Sequence, residues 1–355
     1  MNLLVIRFSA MGDVALVQPA LKAVLHAHPD LRITLLTRPA FVPLFAGMER
    51  VDCIGADVSR VYKGAHGLYR LYRHLKKTLQ PDGVIDLHDV LRSWLLCAFF
   101  KKDGIPFYRI DKGRREKKAL TRKRNKKFAP LKHSVDRYLA VFQAAGRPAK
   151  LLPAFGFAGA SLPSDWLQAK GLMAHTMPWI GIAPFARHNT KQWPLEKTAK
   201  VIAHFIDKGH RLFLFGGGSR EIAAFQSLQQ QFPAIIIVAG QLSLAQELGL
   251  IRKLDLMLTM DSANMHLAAL SGTPVFSIWG PTHPYAGFAP LAGKRSLMVQ
   301  IGHDQLGCRP CSVFGNVPCF RGDHACMQWI QPAQVIDKME ALLAAPGAQS
   351  PQTPE

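Results

Sequence analysis

The chain has 355 residues, 48% of them hydrophobic, which is length and apolar content for two cores and excludes a disordered chain or a small disulfide-stapled module. Its 44 Lys and Arg against 24 Asp and Glu give a net charge of +20, so a partner or substrate of negative charge is expected: phosphate, nucleic acid or an anionic membrane face. Six cysteines are too few for a disulfide framework, and the opening MNLLVIRFSAMGD lacks the charged-then-apolar order of a secretion signal, so a cytoplasmic setting is expected.

Residues 3–8 (LLVIRF) read as a strand, SAMGD breaks it, and Val14, Val17, Leu21 and Val24 recur at helical spacing up to His28-Pro29. A strand at 33–37, a helix around 40–46, a short strand at 51–54, a basic amphipathic helix over 68–79 and the strand GVIDLH (83–88) continue the alternation. The apolar run WLLCAFF (94–100) falls far short of the roughly 18 to 20 residues that span a bilayer. From 101 to 132 the composition changes, with fourteen Lys and Arg against Asp103, Asp111 and Glu116, or +11 of the whole charge. A helix over 135–145 follows, and 151–178, rich in Gly, Ala, Pro and Ser, reads as a linker.

The pattern then starts over. WIGIAPF (179–185) is a strand and loop, 195–208 a helix, RLFLFGGG (211–218) a strand running into a glycine turn, and 221–231 a helix. AIIIVAG (234–240), LDLMLTM (254–260) and PVFSIWG (274–280) are near-continuous apolar strands, as expected where helices cover both sheet faces. A helix over 332–345 precedes a tail at 346–355 expected to be disordered. The expected architecture is therefore α/β, two doubly wound Rossmann-like domains over 1–160 and 161–345.

Ligands of open α/β sheets gather outside the carboxyl ends of the strands, so the loops there are the place to look. In SAMGD, Gly12 permits a close turn and Asp13 falls at a helix start, where it is either a stabilising charge or a general base weakened by the dipole. In APFARHNTKQWP (183–194), Arg187, His188 and Lys191 form a solvated loop or a grip on a diphosphate. In FGGGSRE (215–221), Gly217 and Gly218 let backbone N–H groups approach phosphate, and Glu221 could accept from a ribose diol; neither a P-loop nor G-x-G-x-x-G is present. In TMDSANMHLAALSGTPVFSIWGPT (259–282), Asp261 and Ser262 could simply cap a helix, and His266 could be a satisfied core histidine.

In order, RFSAMGDVALVQPAL, APFARHNTKQWP, LFGGGSRE and the D-S-x-x-M-H-x-A-x-x-x-G-T-P block resemble glycosyltransferase family 9, the heptosyltransferases of lipopolysaccharide synthesis, over about residues 1–345. The resemblance implies a GT-B architecture, two Rossmann-like domains facing across a cleft, and inverting transfer with neither metal nor other cofactor. It also implies that ADP-L-glycero-β-D-manno-heptose is held mainly by the C-terminal domain and the acceptor mainly by the N-terminal one. By similarity Asp13 matches the catalytic base, Lys191 the lysine at the donor's phosphates and ribose, Glu221 the ribose acid and Asp261 the acid on the donor sugar. Arg187, Gly217, Gly218, Ser262 and His266 complete the expected donor site, and Gly12, Arg114 and Arg115 are expected on the acceptor side. At 186 and 187 the chain has Ala-Arg where relatives often carry glycine or small hydroxyl residues. No D-x-D occurs, so Arg187, Lys191 and the helix start after the glycines are the candidates to neutralise the leaving diphosphate.

The basic stretch fits an anionic lipid-linked oligosaccharide acceptor and peripheral attachment to the inner face of the cytoplasmic membrane better than nucleic acid, since only Phe107, Tyr108 and Phe128 interleave its charge. Two other readings stand beside this one: the same fold and mechanism with another nucleotide sugar or envelope acceptor, and a basic nucleic-acid-binding protein without transfer activity. Cys308, Cys311, Cys319 and Cys326 begin with metal-ligand spacing and could hold a structural zinc, but C-x-x-C is not repeated and free thiols are expected.

Overall fold

Short apolar runs that bury on both faces, alternating with helices that bury one stripe, give each half of the chain a parallel sheet. In the computed structural model, which describes residues 1–153, 156–291 and 295–345, the chain divides into two compact units. One is Met1–Arg114 with Lys132–Ala158; the other is Arg115–Leu131 with the residues from Gly159 on. The tail expected at 346–355 lies outside the described residues.

In the first unit, strands β1 (Asn2–Ile6), β2 (Arg32–Thr37), β3 (Val51–Gly55), β4 (Gly83–Asp86) and β5 (Phe107–Arg109) form a sheet of order β3-β2-β1-β4-β5, all neighbours parallel. Leu3 lies opposite both Ile33 and Gly83, so β1 is central and Leu3 to Ile6 are fully buried. The order reverses between β1 and β4, and the loops leaving these two strands therefore flank the switch point where such sheets bind ligands. The helix Gly64–Leu79 turns Leu68, Leu71, Tyr72 and Leu75 inward at three- and four-residue spacing, where Tyr72 meets Phe99 and Phe100 of the helix Leu91–Lys102. The latter helix is the apolar run with no bilayer length; among the described residues no helix is long and apolar enough to cross a membrane.

The second unit has β6 (Trp179–Ala183), β7 (Arg211–Leu214), β8 (Ile236–Ile237), β9 (Leu256–Met260), β10 (Val275–Trp279) and β11 (Ser296–Gln300) in the order β11-β10-β9-β6-β7-β8, again parallel. Ile180, Ile182, Leu256 and Leu258 are wholly buried, covered by Val201 and Phe205 of the helix Leu195–Asp207 and by Val335 and Met339 of the helix Pro332–Ala344. The run expected as a strand over 234–240 pairs only through Ile236 and Ile237, and β11 closes the opposite edge.

Residues 115–131, expected in the N-terminal domain, group with the second unit because their own side chains are spent there. Lys126 Nζ donates to the carbonyls of Cys308 and Pro310, 2.8 Å each, and Phe128 stacks on His303 at 4.1 Å. Leu131 N–H donates to the Tyr285 carbonyl, and the ammonium groups of Lys117 and Lys123 lie over the rings of Phe288 and Phe320.

Candidate active site

Two constellations form, one in each unit. In the first, the chain leaves β1 at Arg7 and enters a short helix, Met11–Ala15, with Gly12 buried and Asp13 in its first turn. Arg7 Nη2 lies 2.8 Å from Asp13 Oδ2, and the Ala10 N–H reaches the same oxygen at 3.4 Å. Arg7 is buried, its other arm donating to the Leu87 carbonyl and its guanidinium 5.8 Å from the Tyr138 ring centre. Burial opposes its charge, but Asp13 and the Tyr138 and Asp86 oxygens outweigh that and raise its pKa. Tyr138 donates its hydroxyl to the Asp13 carbonyl at 3.1 Å, so the loop is fixed from both backbone and side chain.

The loop after β4 supplies what sequence reading missed. Asp86, fully buried, accepts from the backbone N–H groups of His88 and Asp89 at 2.9 Å each and from Ser93 Oγ at 3.0 Å. That turn presents His88 to Ser9, Nε2 to Oγ 3.2 Å, and Asp89 to Arg114, 2.6 Å away, while Lys112 Nζ donates to the Asp89 carbonyl. Arg114 is thus held by Asp89, and Arg115, exposed, belongs to the segment grouped with the second unit. The available signal was D-L-H-D, which begins on the last residue of β4.

Burial first, then Arg7 and Lys112, push the His88 imidazole down to about 3, so it is neutral beside Asp13 at pH 7. The unfolded chain binds a proton at the ordinary value of 6.5 that the folded chain refuses, so this contribution is complete above that pH and is lost as pH falls toward 3. Acidification from pH 7 to 4.5 should cost the wild type about 2 kcal/mol more unfolding free energy than His88→Gln, measured by urea denaturation of both.

In the second unit the site residues follow three adjacent strands. Lys191, after β6, is buried and donates from Nζ to the Asp261 carbonyl at 2.6 Å and to its Oδ2 at 3.3 Å; Asp261 directly follows β9. Asp261 is therefore an ion-pair partner, and Ser262, at the helix start, caps nothing through its side chain and meets Thr259 Oγ1 at 3.1 Å. After β7, Glu221 Oε2 accepts the Gly217 N–H at 2.8 Å, folding the carboxylate onto the glycine turn, and Gly218 takes φ +82° just before the helix Ser219–Gln231. His266 is buried in the helix Ala263–Leu270. Arg187 is exposed, and its charge and that of Lys191, after burial, lower the pKa of His188 between them.

A wall on this site comes from the segment after β11. Gly315, at φ +77°, lies so close to Lys191 that a Cβ there would fall 2.4 Å from Lys191 Cγ, and Thr190 donates to the Gly315 carbonyl. Arg309, buried, gives its donors to the carbonyls of Gly280, Ile301, Trp279 and Thr282 and to Gln300, and burial lowers it to about 10. It ties these loops to one another from a site only 1% exposed. Cys308, Cys311, Cys319 and Cys326 are free thiols lining one cavity with Thr190, Arg309 and His324, and burial pushes Cys326 up to about 12. Among the described residues no three His, Cys, Asp or Glu side chains are grouped to hold a metal ion.

The sequence model described as glycosyltransferase family 9 (heptosyltransferase) matches residues 68–316. Lipooligosaccharide heptosyltransferase 2 of Haemophilus influenzae is 27% identical over 365 residues, covering 97% of this chain and all of that protein. Among solved structures, a glycosyl transferase family 9 protein from Veillonella parvula superposes with TM-score 0.78 at 20% identity, covering 96% of this chain and 97% of that one. ADP-heptose lps heptosyltransferase II of E. coli gives TM-score 0.68 at 20% identity over 97% of this chain and 98% of that one.

Proposed function

The chain belongs to glycosyltransferase family 9 (heptosyltransferase) and has its GT-B fold; from that premise we propose that it moves heptose from ADP-L-glycero-β-D-manno-heptose to an inner-core lipopolysaccharide acceptor, with inversion and without metal. The observation that carries this reading is the convergence of Lys191, Glu221 and Asp261 on the carboxyl ends of adjacent strands β6, β7 and β9, with Lys191 locked on Asp261.

In this reading the N-terminal domain takes the acceptor and the C-terminal domain the donor. Asp13 removes the proton from an acceptor hydroxyl as that oxygen attacks the anomeric carbon from the face opposite the departing ADP, which inverts the centre. Charge growing on the diphosphate is met by Lys191 and Arg187, which take the role a metal has in other transferases. Glu221 holds the ribose, Asp261 the sugar, and Ser262 and His266 line the same corner. Gly12 and the cations at 114 and 115 serve the acceptor. The enzyme works in the cytoplasm, drawn to the anionic inner leaflet by its net charge of +20, and takes no nucleic acid.

Thermal stabilisation by a panel of nucleotide sugars tests the donor. ADP-heptose at 100 times its dissociation constant should add about 2.7 kcal/mol to stability, with GDP- and UDP-sugars adding nothing. Stabilisation by a UDP-sugar alone would keep the fold and replace the donor, and the Ala-Arg pair at 186 and 187 would be the place to look. Transfer should survive a chelator; its loss, restored by a divalent ion, would end the metal-free mechanism.

A further inference from the structure

We propose that the outward face of the helix Gly64–Leu79, with the turn before it, is the surface by which this protein docks on an anionic phospholipid bilayer. The proposal rests on the membrane reading above and assigns it to a place other than the basic stretch of 101–132. In that stretch, many cations are already engaged: Arg109 and Arg114 on Asp86 and Asp89, Lys126 on two carbonyls, Lys117 and Lys123 on rings.

The helix Gly64–Leu79 differs. It contains no acidic residue, and its inward leucines leave His66, Tyr69, Arg70, Arg73, His74 and Lys77 exposed. Among the described residues no carboxylate pairs with Arg60, Lys63, Arg70 or Arg73, whereas Lys76, on the same helix, is paired with Asp103 at 2.8 Å. Tyr62, His66, Tyr69, Arg70, Arg73 and His74 line a surface groove of about 480 Å³. Large apolar side chains stand in water at the same edge of the sheet: Val61, just before this helix, is 57% exposed, and Leu91, opening the next helix, 77%.

This chemistry matches a phospholipid headgroup layer. Guanidinium and ammonium groups without a carboxylate partner, among them Arg70, whose guanidinium lies 6.0 Å from the Tyr62 ring centre, meet phosphates, tyrosines sit at the polar boundary, and isolated aliphatic side chains enter the acyl region. Both helices begin at the carboxyl edge of the sheet, where the Asp13 loop also lies. A membrane-anchored acceptor would then present its sugar to the same edge that rests on the lipid.

Sedimentation of the full chain with phosphatidylglycerol/phosphatidylcholine vesicles, against pure phosphatidylcholine, tests this. The wild type should bind the anionic vesicles only and be released by salt. Arg70→Glu/Arg73→Glu should lower partitioning at least about tenfold, while Arg122→Glu/Arg124→Glu keeps most of it. Unchanged melting and unchanged transfer to a lipid-free acceptor should accompany the loss. If the 122/124 variant loses binding and the helix variant does not, the docking face is the basic insert and the proposal falls, though the membrane reading stands. If the wild type binds neither vesicle, both fall. If the helix variant loses transfer to the lipid-free acceptor, the groove is an acceptor subsite and the proposal is overturned.

Discussion

Asp13→Asn should lower kcat by about 10³- to 10⁴-fold while ADP affinity stays within about twofold of the wild type. The substitution keeps shape and removes the proton acceptor. Asp13 sits in the first unit and the residues proposed to hold the diphosphate in the second, so under that proposal donor binding has no reason to change. A stability effect accompanies it: Arg7, buried and paired at 2.8 Å, loses its counter-charge, and a cation left unpaired in that position costs on the order of 1–3 kcal/mol. Unfolding midpoints therefore belong beside the kinetics, and the double variant Arg7→Met/Asp13→Asn separates the two effects. It should regain stability and stay inactive. Should single-turnover transfer by Asp13→Asn remain within tenfold of wild type, another group is the base, and neutral His88, near Asp13 across Ser9, would be examined next.

What the sequence made legible was local. The positions of Asp13, Lys191, Glu221 and Asp261 in loops that follow apolar strands could be read, because strand periodicity and turn chemistry are written within a few residues. Partners set by the tertiary fold were not. Arg7 reads as one polar residue inside an apolar run, and only burial against Leu87 and Tyr138 makes it the fixed partner of Asp13. The D-L-H-D turn reads as the end of a strand until Asp86 is seen to cap it from inside. Gly315 and Lys191 are far apart in sequence, as are Lys126 and the Cys308 carbonyl, so neither the wall beside Lys191 nor the grouping of 115–131 could be read from spacing. The edge strand β11 escaped because SLMVQ is only partly buried and its apolar signal is diluted.

Lys191→Ala should lower kcat/KM for the donor by about 10²- to 10³-fold, the scale for removing one preorganised donor from a group that gains charge in the transition state. Two mechanisms predict a loss, and they differ in what else they move. If Lys191 reads the diphosphate, the wild type binds ADP more tightly than AMP and the variant loses that preference, since the second phosphate no longer meets an ammonium. If Lys191 only holds Asp261, whose carboxylate is buried and would be left unpaired, both nucleotides weaken alike and their ratio is preserved. Lys191→Arg should rescue poorly in either case. The lysine stem passes Gly315 without room for even one added carbon between them, and a planar guanidinium cannot follow the same path to reach the Asp261 carbonyl. The comparison of ADP with AMP by calorimetry decides whether the pair seen here is the grip on the leaving group; an unchanged ratio would remove Lys191 from the chemistry and leave it a support for Asp261.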